Sequence, residues 1–230
     1  LYIELNHGPA SGYRRALDFS TGLATVSYRA DGKEFLREYT ASIPRDLILV
    51  RYSAGGRPFD VKFWLDRIVD PDCRVDRRTA RGALRLTGGF QGGIAFQVEA
   101  RYWTTDGETS VDSTGTVTVY GTTALILAVN IGTSAQGGEP AAECGVGFPE
   151  VDLPSRWDAL VAEHQSEHAR HFGTVSLDVP VEAPDLPTDA RLRRMRQGVD
   201  DPGLVLTYFN YGRYLLSASS ATASLPANLQ

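Results

Sequence analysis

The chain has 230 residues, 42% of them hydrophobic and 22% charged, and a formal net charge of −5. That length is ample for one large domain or two small ones around a real core, and that balance is ordinary for a soluble globular chain. The acidic surplus gives no pull towards nucleic acid or an anionic membrane, and no run reaches the roughly 18 apolar residues of a membrane span.

Residues 1 to about 132 read as strands. "YRRALDF" (13–19) ends in a turn at Ser20-Thr21-Gly22. "LATVSYRA" (23–30) alternates, and Asp31-Gly32 is a strong hairpin signal. "KEFLREYTASI" (33–43) puts Phe35, Arg37 and Tyr39 on one face and Glu34, Leu36 and Glu38 on the other. Further strands are expected at 47–53, 59–66, 83–90, 94–103, 116–121 and 123–131. Strands this short with turns this frequent predict an antiparallel β-sandwich. Parallel βαβ units fit poorly, because nothing of helix length separates the runs.

The composition then shifts. Residues 133–154, rich in Gly, Ser, Ala and Pro, read as a loop. A capping-box-like start at Ser155–Asp158 predicts a helix to Phe172. Trp157, Leu160, Val161, His164, His168 and Phe172 share one face of it, and Gly173 is its stop. Residues 174–187 carry three prolines and read as an extended linker. Thr188 is expected to cap a short helix, 189–197, closed by Gly198. The last helix starts at Asp201 with Pro202 in its first turn. It is apolar nearly all round, so it needs cover on every side. Too few other helices are present to cover it, and the expectation is a piece of a larger enzyme. Packing against the sandwich or another chain is the second option.

Two cysteines, Cys73 and Cys144, are too few for a disulfide framework; two free buried thiols is the preferred reading, with pairing left open. Lys33 and Lys62 are the only lysines. The scatter of the arginines favours a base-composition bias over phosphate-binding forks.

Several stretches have the residue types of a reaction centre. "HQSEH" (164–168) matches the His-x-x-Glu-His pattern in which two imidazoles grip a zinc ion and a glutamate acts as base, with His171 close by. An exposed or linker-facing helix rich in His and Glu is the preferred reading, so no metal ligand is assigned. "GGFQGG" (88–93) lacks the Lys and Ser/Thr of a phosphate loop and reads as a hairpin. Asp106, Glu108 and Asp112 resemble a glycosidase carboxylate set but sit where a solvated hairpin tip is expected. Trp64, Tyr102 and Trp103 offer rings that suit sugar stacking, though strand aromatics are more often core.

The stretch "YRRALDFSTGLATVSYRADGKEFLREYTASIPRDLILVRYSA" resembles the N-terminal β-domain of glycoside hydrolase family 95, the α-L-fucosidase family. Leu17–Gly22 and Arg37–Pro44 carry the match. "LPTDARLRRMRQGVDDPGLVLTYFNYGRYLLSASS" and "LPANLQ" resemble the entry into that family's (α/α)6 barrel. The Tyr208, Tyr211, Gly212, Arg213, Tyr214, Leu215, Leu216, Ser219 and Ser220 pattern is the most specific part. The resemblance implies a mostly β fold with C-terminal α: a sandwich over 1–132, a linker over 133–187 with a helix at 155–172, and the first helix of the barrel within 188–230. It implies hydrolysis of terminal α-L-fucose, α-1,2-linked, with inversion, on a fucosylated oligosaccharide or glycan and without metal or organic cofactor. α-L-Galactosides are an allied substrate.

In that family a glutamate acts as acid and an Asn-x-Asn pair, polarised by an aspartate, as base. No residue of this chain matches them, so no catalytic residue is assigned and the chain alone is expected to be inactive. Asn228 and Gln230, in "LPANLQ", are the candidate substrate-cleft residues, or else they cap the helix end. His168 stands where the family often has an aromatic, which favours packing. The rival class is a non-catalytic carbohydrate-binding or interaction sandwich. Nucleic-acid and membrane partners are not expected, and the compartment is left open, with secretion or a periplasmic location the options for a longer protein.

Overall fold

The computed structural model describes residues 1–135, 137–144, 147–148, 154–177, 179–181, 183–220 and 227. They belong to two compact units, residues 1–17 with 23–164, and residues 18–22 with 165–230.

The first unit is built on β1 (Tyr2–Leu5), β2 (Ser11–Asp18), β3 (Leu23–Ala30), β4 (Lys33–Ser42), β5 (Leu47–Ser53), β6 (Phe59–Trp64), β7 (Cys73–Ala80), β8 (Ala83–Phe90), β9 (Ala95–Thr104), β10 (Glu108–Val111), β11 (Val117–Thr122) and β12 (Ala124–Thr133). They form a four-stranded sheet, β1-β6-β11-β10, and an eight-stranded sheet, β2-β3-β4-β5-β12-β9-β8-β7. Pairing is antiparallel throughout the smaller sheet and from β3 to β7 in the larger one. The expected sandwich is therefore present. The hairpin between β3 and β4 turns on Asp31 and Gly32, with φ of 49° and 69°, the left-handed pair that a two-residue hairpin requires.

Strand alternation places the core. Val61 and Phe63 of β6 and Val117 and Val119 of β11 meet Val50, Tyr52, Leu125, Leu127, Leu84 and Ala100 of the larger sheet. Phe63, Leu125, Leu127, Val117 and Val119 are fully buried. The other face of β5 and β12 carries Leu47, Leu49, Ile126 and Ala128 in a second cluster with Phe148, Trp157 and Leu160. Because β12 is covered on both faces, its sequence "ALILAVNI" runs apolar without alternation.

Around that second cluster the larger sheet is polar. Glu99 is 4% exposed and accepts from Arg85 at 2.9 Å and Arg101 at 2.8 Å. Burial alone would raise its pKa, but those two arginines hold it below the usual carboxylate range. Cys144 is buried, with its thiol 3.2 Å from the Gln97 carbonyl, and Cys73 is half-buried. Both are free thiols, so only one of the two is buried as expected. A one-turn helix, α1 (Pro140–Glu143), breaks the stretch read as loop. It docks where Gly132 leaves room for the Pro140 carbonyl.

A 3₁₀ turn at Pro154–Arg156 leads into helix α2 (Trp157–Phe172). The capping start is thus one turn of tighter helix, and the predicted end holds. A side chain at Gly173 would stand 2.6 Å from the Ala169 carbonyl.

The second unit contains the end of α2 with α3 (Thr188–Arg196) and α4 (Pro202–Ser220). Pro187, not Thr188, occupies the cap of α3. Gly198 has φ +86°, and its N–H and that of Val199 return to Met195 and Arg194, a Schellman close. Asp201 caps α4 by accepting from Leu204 N–H at 2.9 Å, and Arg191 of α3 grips the same carboxylate through two nitrogens at 2.8 and 2.6 Å. Those two side chains are 9% and 7% exposed. The segment 18–22 belongs here too: Phe19 sits 5.9 Å from both the Tyr211 and Tyr214 rings. Tyr208, Val205 and Leu216 of α4 stay largely exposed. Among the described residues no helix is long and apolar enough to cross a membrane.

Candidate functional site

Positions 209, 213, 216, 217 and 220 recur on one face of α4, and with the end of α2 and Thr174 and Val175 after it they line a cleft of about 310 Å³. Arg213 is its cation. Its guanidinium lies 4.3 Å over the Phe172 ring and 5.7 Å from that of Phe209. One nitrogen donates to Asn210 Oδ1 at 2.9 Å and another to the Phe172 carbonyl. Phe172 ends α2, where carbonyls lack helical partners and the dipole is negative. Arg213 of α4 therefore caps the end of α2 and is spent on that task. Among the described residues no carboxylate lines this cleft, so they supply no acid–base pair of a glycosidase there.

The sandwich has a second cleft, of about 590 Å³, between the Arg81–Gly82 hairpin tip, β9 and β10, with Glu108 as the one carboxylate among its described lining residues.

Asn228 and Gln230 lie outside the described residues. The histidines of α2 are described. His168 is 3% exposed; its Nε2 donates to the Phe19 carbonyl at 2.7 Å and its ring stacks on Phe172 at 5.5 Å. Glu167 accepts from Arg170 at 2.8 Å and meets His171 Nε2 at 3.1 Å. His164 is also 3% exposed. Among the described residues no three His, Cys, Asp or Glu side chains converge as metal ligands would. The His-x-x-Glu-His pattern is used for packing and helix-surface pairing.

The other carboxylates have local work. Asp106 accepts from Thr123 N–H at 2.6 Å; Asp112 accepts from the Thr114 hydroxyl at 2.6 Å and the Thr116 N–H at 3.0 Å. These bonds hold both below the usual carboxylate range. They lock turns, as the hairpin-tip reading expects. Gly88–Gly93 is a hairpin as well, closed by Phe90 N–H to Ile94 O at 3.1 Å. Trp64 stacks on Tyr2 at 5.3 Å, and Tyr102 is in the sandwich core. Sequence reasoning missed Arg81, whose only signal is an arginine beside a turn glycine.

A family model described as "Glycosyl hydrolase family 65, N-terminal domain" matches residues 1–138, and one described as "Glycosyl hydrolase family 95 catalytic domain" matches residues 156–230. "Alpha-L-fucosidase 2" of Arabidopsis thaliana is 27% identical, over 96% of this chain and 30% of that protein. "Probable alpha-fucosidase A" of Aspergillus oryzae is 23% identical, over 96% of this chain and 33% of that protein. The chain thus spans about a third of the length of these curated relatives. A solved structure titled "Putative kojibiose phosphorylase from human microbiome" is similar in fold, with a TM-score of 0.51 and 11% identity over 74% of this chain and 27% of that one. With one family model over more than half of its residues and a second over most of the rest, the chain belongs to the glycosyl hydrolases, joining a family 65-type N-terminal domain to family 95 catalytic-domain sequence.

Proposed function

We propose that this chain is part of an α-L-fucosidase that removes terminal fucose, α-1,2-linked, from glycans with inversion. The observation that carries the reading is the family 95 catalytic-domain match over 156–230, supported by two relatives named as fucosidases along 96% of the chain. The sandwich over 1–132 and the linker over 133–187 would then precede the first barrel helix within 188–230. Inversion needs a general acid and a second group that activates water, about 6.5–9.5 Å apart across the sugar. Among the described residues that line the two clefts, Glu108 is the one carboxylate. The 230 residues by themselves are expected to be inactive.

The test is proton NMR of a fucosyl-α-1,2-galactoside incubated with the full-length source protein. Inversion makes β-L-fucose the first product seen, before mutarotation. α-Fucose appearing first, or no fucose at all, would refute the reading. Fucose released by the 230-residue chain would refute its inactivity.

A further inference from the structure

We propose that the gap between the two sheets at β8, β9 and β10 is a saccharide-binding cleft, with Arg81 and Glu108 on its rims and Tyr102 as its floor. The register shows why a cleft exists. Thr109 pairs with Val119 and Val111 with Val117, so they share the inward face of the small sheet with two residues that are fully buried. Yet Val111 is 44% exposed. An interior-facing position left this open means that the opposite sheet does not close over β10. The resulting space, about 590 Å³, falls in the size range of small-ligand sites.

Both rims are tied to the frame. The Tyr102 N–H donates to the Gly82 carbonyl at 3.0 Å, which fixes the hairpin tip beside Arg81. On the other side Asp106 holds Thr123 N–H at 2.6 Å. Gly107, at φ +91°, lets the chain pass against the Tyr120 carbonyl where a Cβ would collide. The cleft needs no lid to form.

Its chemistry is mixed and unspent. Arg85 and Arg101 are both engaged with Glu99. Neither the Arg81 nor the Glu108 side chain has a hydrogen bond or ion pair among the described residues. The Tyr102 hydroxyl is closed to solvent and likewise has no hydrogen-bond partner among them. Thr104 and Thr109 add hydroxyls, while Val111 and the Tyr102 ring add apolar surface. An anionic ligand would face Glu108 and a cationic one Arg81. A neutral, polyhydroxylated ring meets both, with its hydroxyls on the charged rims and its C–H face on the apolar wall. That the ring belongs to a fucosylated glycan rests on the function proposed above.

The experiment is calorimetry and saturation-transfer NMR of the full 230-residue chain with 2′-fucosyllactose and, separately, with lactose. Saturable binding is expected, with ring protons of the sugar in contact with the protein. Arg81→Ala and Glu108→Gln should each weaken it about ten- to a hundredfold, the usual worth of a hydrogen bond to a charged group. Neither should move the thermal midpoint, since neither side chain holds the fold. Tyr102→Phe should leave the midpoint unchanged or higher, because it deletes a hydroxyl without a partner, and should leave binding unchanged, because that hydroxyl is closed to solvent. No saturable binding of either sugar to the folded chain overturns the proposal, and so does binding that Arg81→Ala and Glu108→Gln both leave intact. Equal affinity for lactose and 2′-fucosyllactose would support the cleft and count against the fucoside reading alone.

Discussion

Replacing Trp157 with alanine removes the side chain that seats α2 on the sandwich. The indole is 2% exposed and packs among Leu47, Leu49, Ile126 and Leu160, with the Arg51 guanidinium 4.9 Å above it. Burying an aromatic ring of this class removes about 150–250 Å² from water, which at about 25 cal/mol per Å² is about 4–6 kcal/mol. Truncation of buried Phe or Trp to Ala costs about 3–5 kcal/mol, so the two routes meet near 4 kcal/mol. In a chain of this size each kcal/mol moves the thermal midpoint by about 2–4 °C, which gives a loss of about 8–16 °C. Arg51→Lys is the control. It keeps a cation beside Glu38, which Arg51 pairs at 2.5 Å, but loses the flat face over the indole, at a cost of about 1 kcal/mol or less. Thermal and urea unfolding, followed by circular dichroism, read both variants. If Trp157→Ala unfolds no earlier than Arg51→Lys, the indole is not part of the core and the account of the second cluster fails.

Other perturbations test other joints. Glu99 is held below the usual carboxylate range when folded, so its contribution is complete above its unfolded pKa, about 4.3, and is lost as pH falls through the lower folded value. Urea midpoints of the parent should therefore drop on acidification below about pH 4, and Glu99→Gln should flatten part of that drop while lowering stability at pH 7. Gly132→Ala drives a methyl into the Pro140 carbonyl and is expected to cost about 1–3 kcal/mol, read as the shift in urea midpoint. Gly198→Ala forces a side chain into φ +86° and should cost about 1–2 kcal/mol, seen as earlier thermal loss of helical signal. Arg191→Met leaves the Asp201 carboxylate buried without its fork, and the same helical signal should melt earlier, with Arg191→Lys restoring only part of it.

Most of the strands that the sequence predicts are interior to the sheets, β2 at the edge of the large sheet being the exception. Residues 23–30, 33–43, 47–53 and 123–131 announce themselves because each has at least one face in the core. Tyr2–Leu5, Cys73–Ala80 and Glu108–Val111 were not read as strands, and all three are edges: β1 and β10 bound the small sheet, β7 the large one. An edge strand with little burial has no hydrophobic period to show, and charges such as Arg74, Asp76, Arg77 and Arg78 are what a solvent-facing edge tolerates. β10 is exposed along its whole length, so "ETSV" carries no signal at all. The helices were more legible because their ends are chemical. Asp201-Pro202, Gly173 and Gly198 mark boundaries by capping and turn geometry, which depends on single residues and not on burial.

The chemistry was harder to read than the fold for a related reason. Residue type nominates a side chain; its partners decide whether it is available. His168 is occupied by the Phe19 carbonyl, Glu167 by Arg170 and His171, Asp106 by Thr123 between β11 and β12, Asp112 by a threonine of its own turn, and Arg213 by the end of α2. Each looks reactive in a string of letters, and each is a fastening in the fold. Arg81 and Glu108 are the reverse case. Neither has the spacing of a motif; Arg81 lies in a hairpin turn and Glu108 opens β10, each beside neighbouring hydrogen bonds, at a cleft that the register leaves uncovered. Availability of this kind arises from contacts between strands far apart in the chain. It becomes visible only when every polar group has been followed to its partner, and the groups without one identify where a ligand would be held.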